Sequence, residues 1–194
     1  RKSALAALPK GLKPWSAILR ESGYYCANNS KTDYNFVVKK GEAWDESSRK
    51  ASWRKRPDKK EPFFYMQSFG VTHESSLHFP RKLMESEDTK TPVDRVTIHP
   101  YHPDTPTFRY THARYFDRMG VVDEQIGKVV ANLKADGLLE DTFIFYFGDH
   151  GGVLPRGKGY AYESGLHVPL VVRIPDSFKH LVDHEKGVRT NGFV

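Results

Sequence analysis

"TFIFYFGDHGGVLPRGKGYAYESGLHVPLVVRIP", residues 142–175, is the stretch whose reading decides the fold. An apolar run (142–148) stops at Gly148, and Asp149 and His150 follow at once. Gly151, Gly152 and a lone Lys158 come next, and a second apolar run (167–175) closes the stretch. Both runs have the length and composition of buried strands. In open α/β sheets, functional groups gather just beyond the carboxyl ends of strands, and Asp149 and His150 stand at that place. Aspartate offers a hard oxygen and histidine a ring nitrogen, and both ligate divalent metals. The glycines permit tight backbone geometry around them, and Lys158 supplies a positive charge for an anion. A plain turn accounts for the same composition, because Asp and Gly form turns and lysine is usually solvated. Residue types alone leave both readings open.

Outward from this stretch, residues 108–136 carry the strongest helical pattern. Phe116, Met119, Val122, Ile126, Val129 and Leu133 recur at spacings of three and four and make one apolar face. Gly137 caps the end. The aromatic run at 62–66 reads as another buried strand. A strand, a long helix and a strand predict a crossover unit in a mostly parallel sheet sandwiched by helices, an α/β fold. Residues 14–25 predict a short helix opened by Pro14 and ended by Gly23. The charged segment 39–61 reads as solvated surface with a helix around Trp44–Trp53, and 85–107 as a long loop. No internal repeat is present.

The chain has 194 residues and a formal net charge of +6, enough for one sizeable domain and favourable to anionic partners. One cysteine, Cys26, excludes an internal disulfide framework and a multi-cysteine zinc site, and reads as a small buried side chain. Neither a signal-peptide core nor a run of membrane-spanning length is seen. The chain starts without Met, which fits a trimmed or partial product. The basic run around Trp53 reads as solvated rather than as a nucleic-acid site. The Asn28 sequon reads as chance, because a glycan there would crowd Lys31.

Taken jointly, Asp149-His150-Gly151 after a strand, Gly157-Lys158 in the loop, and Glu163 through Gly165 to Val168-Pro169 before the next strand resemble the sulfatase family of the alkaline-phosphatase-like superfamily. Residues 19–36 are similar to that family's Gly-Tyr … Gly-Lys segment, with Lys31 at the lysine position and Ser30 in place of glycine. Residues 62–76 resemble the strand that delivers an active-site histidine, here His73, with His78 as its rival. The resemblance runs from about Trp15 to Pro175 in the family's order.

The resemblance implies an α/β sandwich that hydrolyses sulfate esters. In it Asp149 and His150 are metal ligands, Lys31 and Lys158 bind the sulfate, and His73 contacts the sulfate or protonates the leaving group. Glu163 fits a loop-fixing role. The implied cofactor is a divalent cation, calcium first and manganese or zinc as alternatives, beside a formylglycine nucleophile. No Cys/Ser-x-Pro/Ala-x-Arg motif and no N-terminal Asp-Asp pair occur here, so residues 1–194 are expected to be an incomplete catalytic domain with the nucleophile outside it. The expected partner is a sulfated small molecule or saccharide, with no nucleic acid and no membrane, in a periplasmic or secreted protein. Two rival functions are a phosphonate or phosphate-ester hydrolase of the same superfamily and a non-catalytic anion-binding module.

Overall fold

The computed structural model describes residues 6–189. The chain divides into two compact units, Arg1–Phe69 and Gly70–Val194.

The first unit is built on a parallel sheet of order β2-β1-β3, formed by β1 (Tyr25–Asn29), β2 (Glu46–Ser47) and β3 (Phe63–Gln67). β1 is central and pairs along its full length with β3, from Tyr25 opposite Phe63 to Asn29 opposite Gln67. Alternation along β1 serves two cores at once. Tyr25 and Ala27 pack with Ala51, Phe63 and Tyr65. Cys26 packs with Ala43, Trp44, Phe64 and Met66. Small residues at 26 and 27 leave room for the aromatics on either side. Helix α1 (Trp15–Glu21) follows Pro14 and ends ahead of Gly23, whose φ of +86° suits glycine.

The segment 39–61 departs from expectation. It holds no α-helix, only β2 and a 3₁₀ turn at Trp53–Lys55. Trp44 and Trp53 are buried, together with Ala43, Ala51 and Arg56. Trp44 stacks on Phe64 at 5.7 Å and Trp53 on Phe63 at 5.9 Å. These are successive residues of one strand, so the two tryptophans cover opposite faces of the sheet, which one helix could not do. Ser48 opposes an α-helix locally, since its hydroxyl accepts the Lys50 N–H, while Ser52 caps the short 3₁₀ turn by accepting the Arg54 N–H.

In the second unit, α2 (Arg81–Ser86) precedes the 30-residue α3 (Pro106–Ala135). Thr105 caps α3 by accepting the Phe108 N–H at 3.3 Å, and Gly137 (φ +71°) follows its end. Along the apolar stripe Val122 and Leu133 are buried, while Phe116 and Met119 are exposed. β4 (Ile144–Phe147) and β5 (Leu170–Arg173) form a two-stranded antiparallel sheet, Phe145 opposite Val172 and Phe147 opposite Leu170. Two expectations are corrected here. β5 does not extend a parallel sheet, and β4 is not a fully buried strand, since Phe145 and Phe147 are each 61% exposed. The connection between β4 and β5 is spent on tight glycine turns and the four-residue α4 (Glu163–Leu166), so it returns beside its own start. A parallel partner would need a crossover that carries the chain back along the sheet, usually on a long helix, and this connection builds no helix beyond α4. The parallel sheet of the first unit and the helices are of the α/β kind. Among the described residues no helix is long and apolar enough to cross a membrane.

Candidate active site

The loop from Gly148 to Pro169 is held by backbone layers pressed against each other. The Gly148 N–H donates to the Pro169 carbonyl, the Gly151 N–H to Gly165, and the Lys158 N–H to Gly152 at 2.8 Å. A Cβ on Gly151 would lie 1.8 Å from the Ser164 carbonyl oxygen, and one on Gly157 would lie 1.8 Å from that of Gly152. Only glycine permits such approaches. The result is a rigid root for Lys158.

The Lys158 ammonium is directed at the segment after Gly70. Its Nζ lies 3.1 Å from Glu74 Oε2 and 3.4 Å from His73 Nε2. His73 precedes the 3₁₀ turn Glu74–Leu77, and its Nδ1 lies 2.9 Å from Ser75 Oγ and 3.2 Å from the Ser75 backbone nitrogen. Those contacts set the ring plane and leave Nε2 facing the lysine. The Lys158 ammonium holds the Glu74 carboxyl below the usual carboxylate range, first through the hydrogen bond and then through its charge.

Asp149 and His150 follow the carboxyl end of β4. His150 Nδ1 lies 2.8 Å from the Gly151 carbonyl oxygen. A carbonyl only accepts, so Nδ1 carries a proton and Nε2 is left for another partner. Nε2 lies 3.5 Å from Asp149 Oδ1. An imidazole anchored by its other N–H to a backbone carbonyl is the usual arrangement of a metal-binding histidine. The pair therefore fits two ligands of a divalent cation. Among the described residues no group of three or more His, Cys, Asp and Glu side chains is placed to hold a metal ion, so the pair is at most part of a site.

Lys31 belongs to the first unit and follows β1. Asn28, fully buried, donates through Nδ2 to the Lys31 carbonyl oxygen and to Ser47 Oγ, both at 3.0 Å. That burial agrees with reading the sequon as chance. Cys26 is also fully buried, its thiol facing the Ser16 carbonyl oxygen, and burial, helped by Asp45, pushes its pKa up to about 12. Such a thiol is not a nucleophile at neutral pH.

Four participants escaped the sequence reading. Glu74 gives no signal beyond its adjacency to His73. Asn28 stood out only as a sequon. His102 and His112 are both buried and in contact, Nδ1 to Nε2 at 3.2 Å. His102 Nε2 reaches the Pro155 carbonyl oxygen at 3.0 Å and so ties α3 to the Lys158 loop. Glu163, expected to fix the loop, pairs with His167 at 2.9 Å across α4, within that loop.

The family described as Sulfatase matches residues 18–191. The chain belongs to the sulfatase family. An ulvan-active sulfatase of Formosa agariphila is 38% identical over 205 residues, covering 90% of this chain and 34% of that protein. N-sulphoglucosamine sulphohydrolase of Homo sapiens is 32% identical over 85 residues, covering 44% of this chain and 17% of that protein. Steryl-sulfatase of Mus musculus is 32% identical over 97 residues, covering 40% and 16%. The chain thus spans about a third or less of the length of these relatives. In this sulfatase chain Lys31, Asp149 and Lys158 all lie within the matched range, each just past a strand or in the loop that follows one.

Proposed function

We propose that this chain supplies part of the catalytic site of a sulfate-ester hydrolase acting on a sulfated saccharide. The observation that carries the reading is the convergence of Lys158, His73 and Glu74, with Lys158 on the loop that also carries Asp149 and His150. In hydrolysis, the bond between sulfur and the leaving alkoxide breaks, the alkoxide takes up a proton, and an oxygen from water ends on sulfur. Charge grows on the leaving oxygen and stays high on the non-bridging ones, so a fixed cation there lowers the barrier. Lys158 serves the non-bridging oxygens. The substrate sulfate takes the place of the Glu74 carboxylate on the ammonium. His73, with Nε2 beside that ammonium, stands ready to bind the sulfate or pass a proton to the leaving oxygen. By the family resemblance, Lys31 is expected to be a second cation for the sulfate.

Asp149 and His150 would hold a divalent cation, calcium being the expected ion and manganese or zinc the alternatives. When bound, that ion polarises an oxygen of the ester. The nucleophile, a formylglycine, lies outside this chain. A saccharide is favoured because the relative spanning 90% of the chain is named for ulvan.

The test is release of sulfate from sulfated saccharides by the full-length protein with calcium present, read by ion chromatography beside a phosphate monoester. Sulfate release that is lost in Lys158→Ala is expected. Faster release of phosphate would replace this reading by a phosphate-ester hydrolase, and release of neither by an anion-binding module.

A further inference from the structure

Beside the Lys158 loop lies an open cleft of about 540 Å³ lined by Tyr101, Arg156, Tyr162, Glu163, Ser164 and His167. Arg156 is held between two rings, with its guanidinium carbon 4.5 Å from the Tyr101 centroid and 4.1 Å from that of Tyr162. Tyr160 continues the stack beyond Tyr162 at 6.2 Å, and His99 continues it beyond Tyr101 at 5.3 Å. The Arg156 backbone is locked as well, since its carbonyl accepts the Ser164 hydroxyl at 2.7 Å. The guanidinium carbon thus lies over both rings while the residue stays exposed, which leaves its N–H donors open to the cleft. Among the described residues no carboxylate takes them. Glu163 lines the same cleft, but its carboxylate is engaged by His167 at 2.9 Å.

We propose that Arg156, with Tyr101 and Tyr162, forms a subsite for a second oxyanion of the substrate, a carboxylate or sulfate on the sugar unit next to the one that carries the scissile sulfate. A planar guanidinium fork matches such a group through two parallel hydrogen bonds. Contact with two rings restricts the side chain beforehand and so lowers the entropy that binding costs. Arg156 precedes Lys158 by two residues, so their Cα atoms lie within about 7 Å of each other. A ligand held by both lysine and arginine therefore carries two anionic groups on the same or adjacent sugar units. Exposed tyrosine edges around the arginine suit a sugar, which has apolar faces and polar rims. The inference rests on the saccharide-sulfatase reading above and adds selectivity for polyanionic over singly charged substrates.

The test uses the full-length protein as wild type, Arg156→Ala and Arg156→Lys. Sulfate release is measured on a polyanionic sulfated oligosaccharide and on a monosulfated monosaccharide. On the oligosaccharide kcat/KM is expected to fall at least tenfold in Arg156→Ala, mainly through KM, with Arg156→Lys recovering only part. On the monosaccharide both variants stay within about twofold of wild type. Equal losses on both substrates, or none on either, overturn the subsite. Calorimetric titration with an unsulfated uronate oligosaccharide and with a disulfated disaccharide reads the site without turnover and tells a carboxylate from a sulfate. Binding of either that disappears in Arg156→Ala supports the subsite, and binding of neither, or binding unchanged in the variant, overturns it. A wild type that releases no sulfate refutes the hydrolase reading, while the calorimetry still decides the subsite. Thermal unfolding of each variant separates loss of the site from loss of the fold.

Discussion

Lys158 brings a charge that the fold has already engaged. Its sequence neighbours offer no carboxylate, yet Glu74 comes to 3.1 Å of it from another segment. The ammonium is held in place before substrate arrives, and an incoming sulfate exchanges one anion for another. Lys158→Ala in the full-length enzyme is expected to lower kcat/KM by roughly a hundredfold or more, the scale for loss of one preorganised charge-stabilising group. Its unfolding temperature should change little, because the lost ion pair is exposed and solvent-screened. Kinetics and melting on the same preparations check both, and near-normal kinetics would reduce Lys158 to a surface lysine. Cys26 is the opposite case, a reactive group made inert by burial. Its thiol, with a pKa near 12, should stay silent toward a thiol reagent in the native protein and react only on unfolding. The chain by itself should release no sulfate from an aryl sulfate. Turnover that vanished with Cys26→Ala would reverse the assignment.

Elements carry the next level, and the loop between β4 and β5 is the tightest of them. Gly157 is buried, with the Gly152 carbonyl where a Cβ would stand. Gly157→Ala is expected to cost about 1–3 kcal/mol of stability, as overpacking does, and to reduce activity more than Gly152→Ala. At Gly152 the nearest atom to the added methyl would be the Tyr115 hydroxyl at 3.5 Å, an ordinary contact. Chemical denaturation and sulfate release on the two variants decide it. The buried histidine pair makes the same loop sensitive to acid. Because the Pro155 carbonyl only accepts, His102 Nε2 donates to it, Nδ1 accepts, and His112 Nε2 donates to Nδ1. Burial, then His102 and His99, lower the His112 pKa from its ordinary 6.5. The folded value lies below the unfolded one, so this contribution is full above about pH 6.5 and is lost as pH falls through the window beneath it. Melting temperature is therefore expected to drop as pH falls below 6.5, and to drop less in His112→Phe. An unchanged slope in that variant would place the acid sensitivity elsewhere.

At the scale of the whole molecule, the unusual feature is apolar surface. Phe145, Phe147 and their cross-strand partners Val172 and Leu170 share one face of the β4–β5 sheet, and all four are exposed. Phe116 and Met119 on α3 are exposed too. Contiguous apolar patches of this kind mark contact surfaces or aggregation hazards. The chain by itself is expected to bind an environment-sensitive hydrophobic dye and to associate at micromolar concentration. Phe145→Thr with Phe147→Thr should reduce both, as followed by fluorescence and light scattering.

The sequence by itself determined whatever is written locally. The 3.6-residue period of 108–136, the apolar runs at β3, β4 and β5, the glycine stops and the joint spacing of Asp149, Lys158 and Glu163 are properties of neighbouring residues. They mark the elements and the family. Periodicity also hides things. β1 is a short YCANN segment with small residues, unlike a strand when read alone, and only flanking by two aromatic cores makes it one. Residues 39–61 looked solvated because charges outnumber apolar groups, yet two tryptophans suffice to bury the segment across both faces of the sheet. The tertiary structure alone decided the direction of β5, the exposure of β4, the capture of Lys158 by Glu74 and His73, the His102–His112 link to Pro155, and the clamping of Arg156 between Tyr101 and Tyr162. Each is a contact between residues distant in sequence. Such contacts are selected by packing and by the need to satisfy buried polar groups, neither of which leaves a mark in a short stretch of chain.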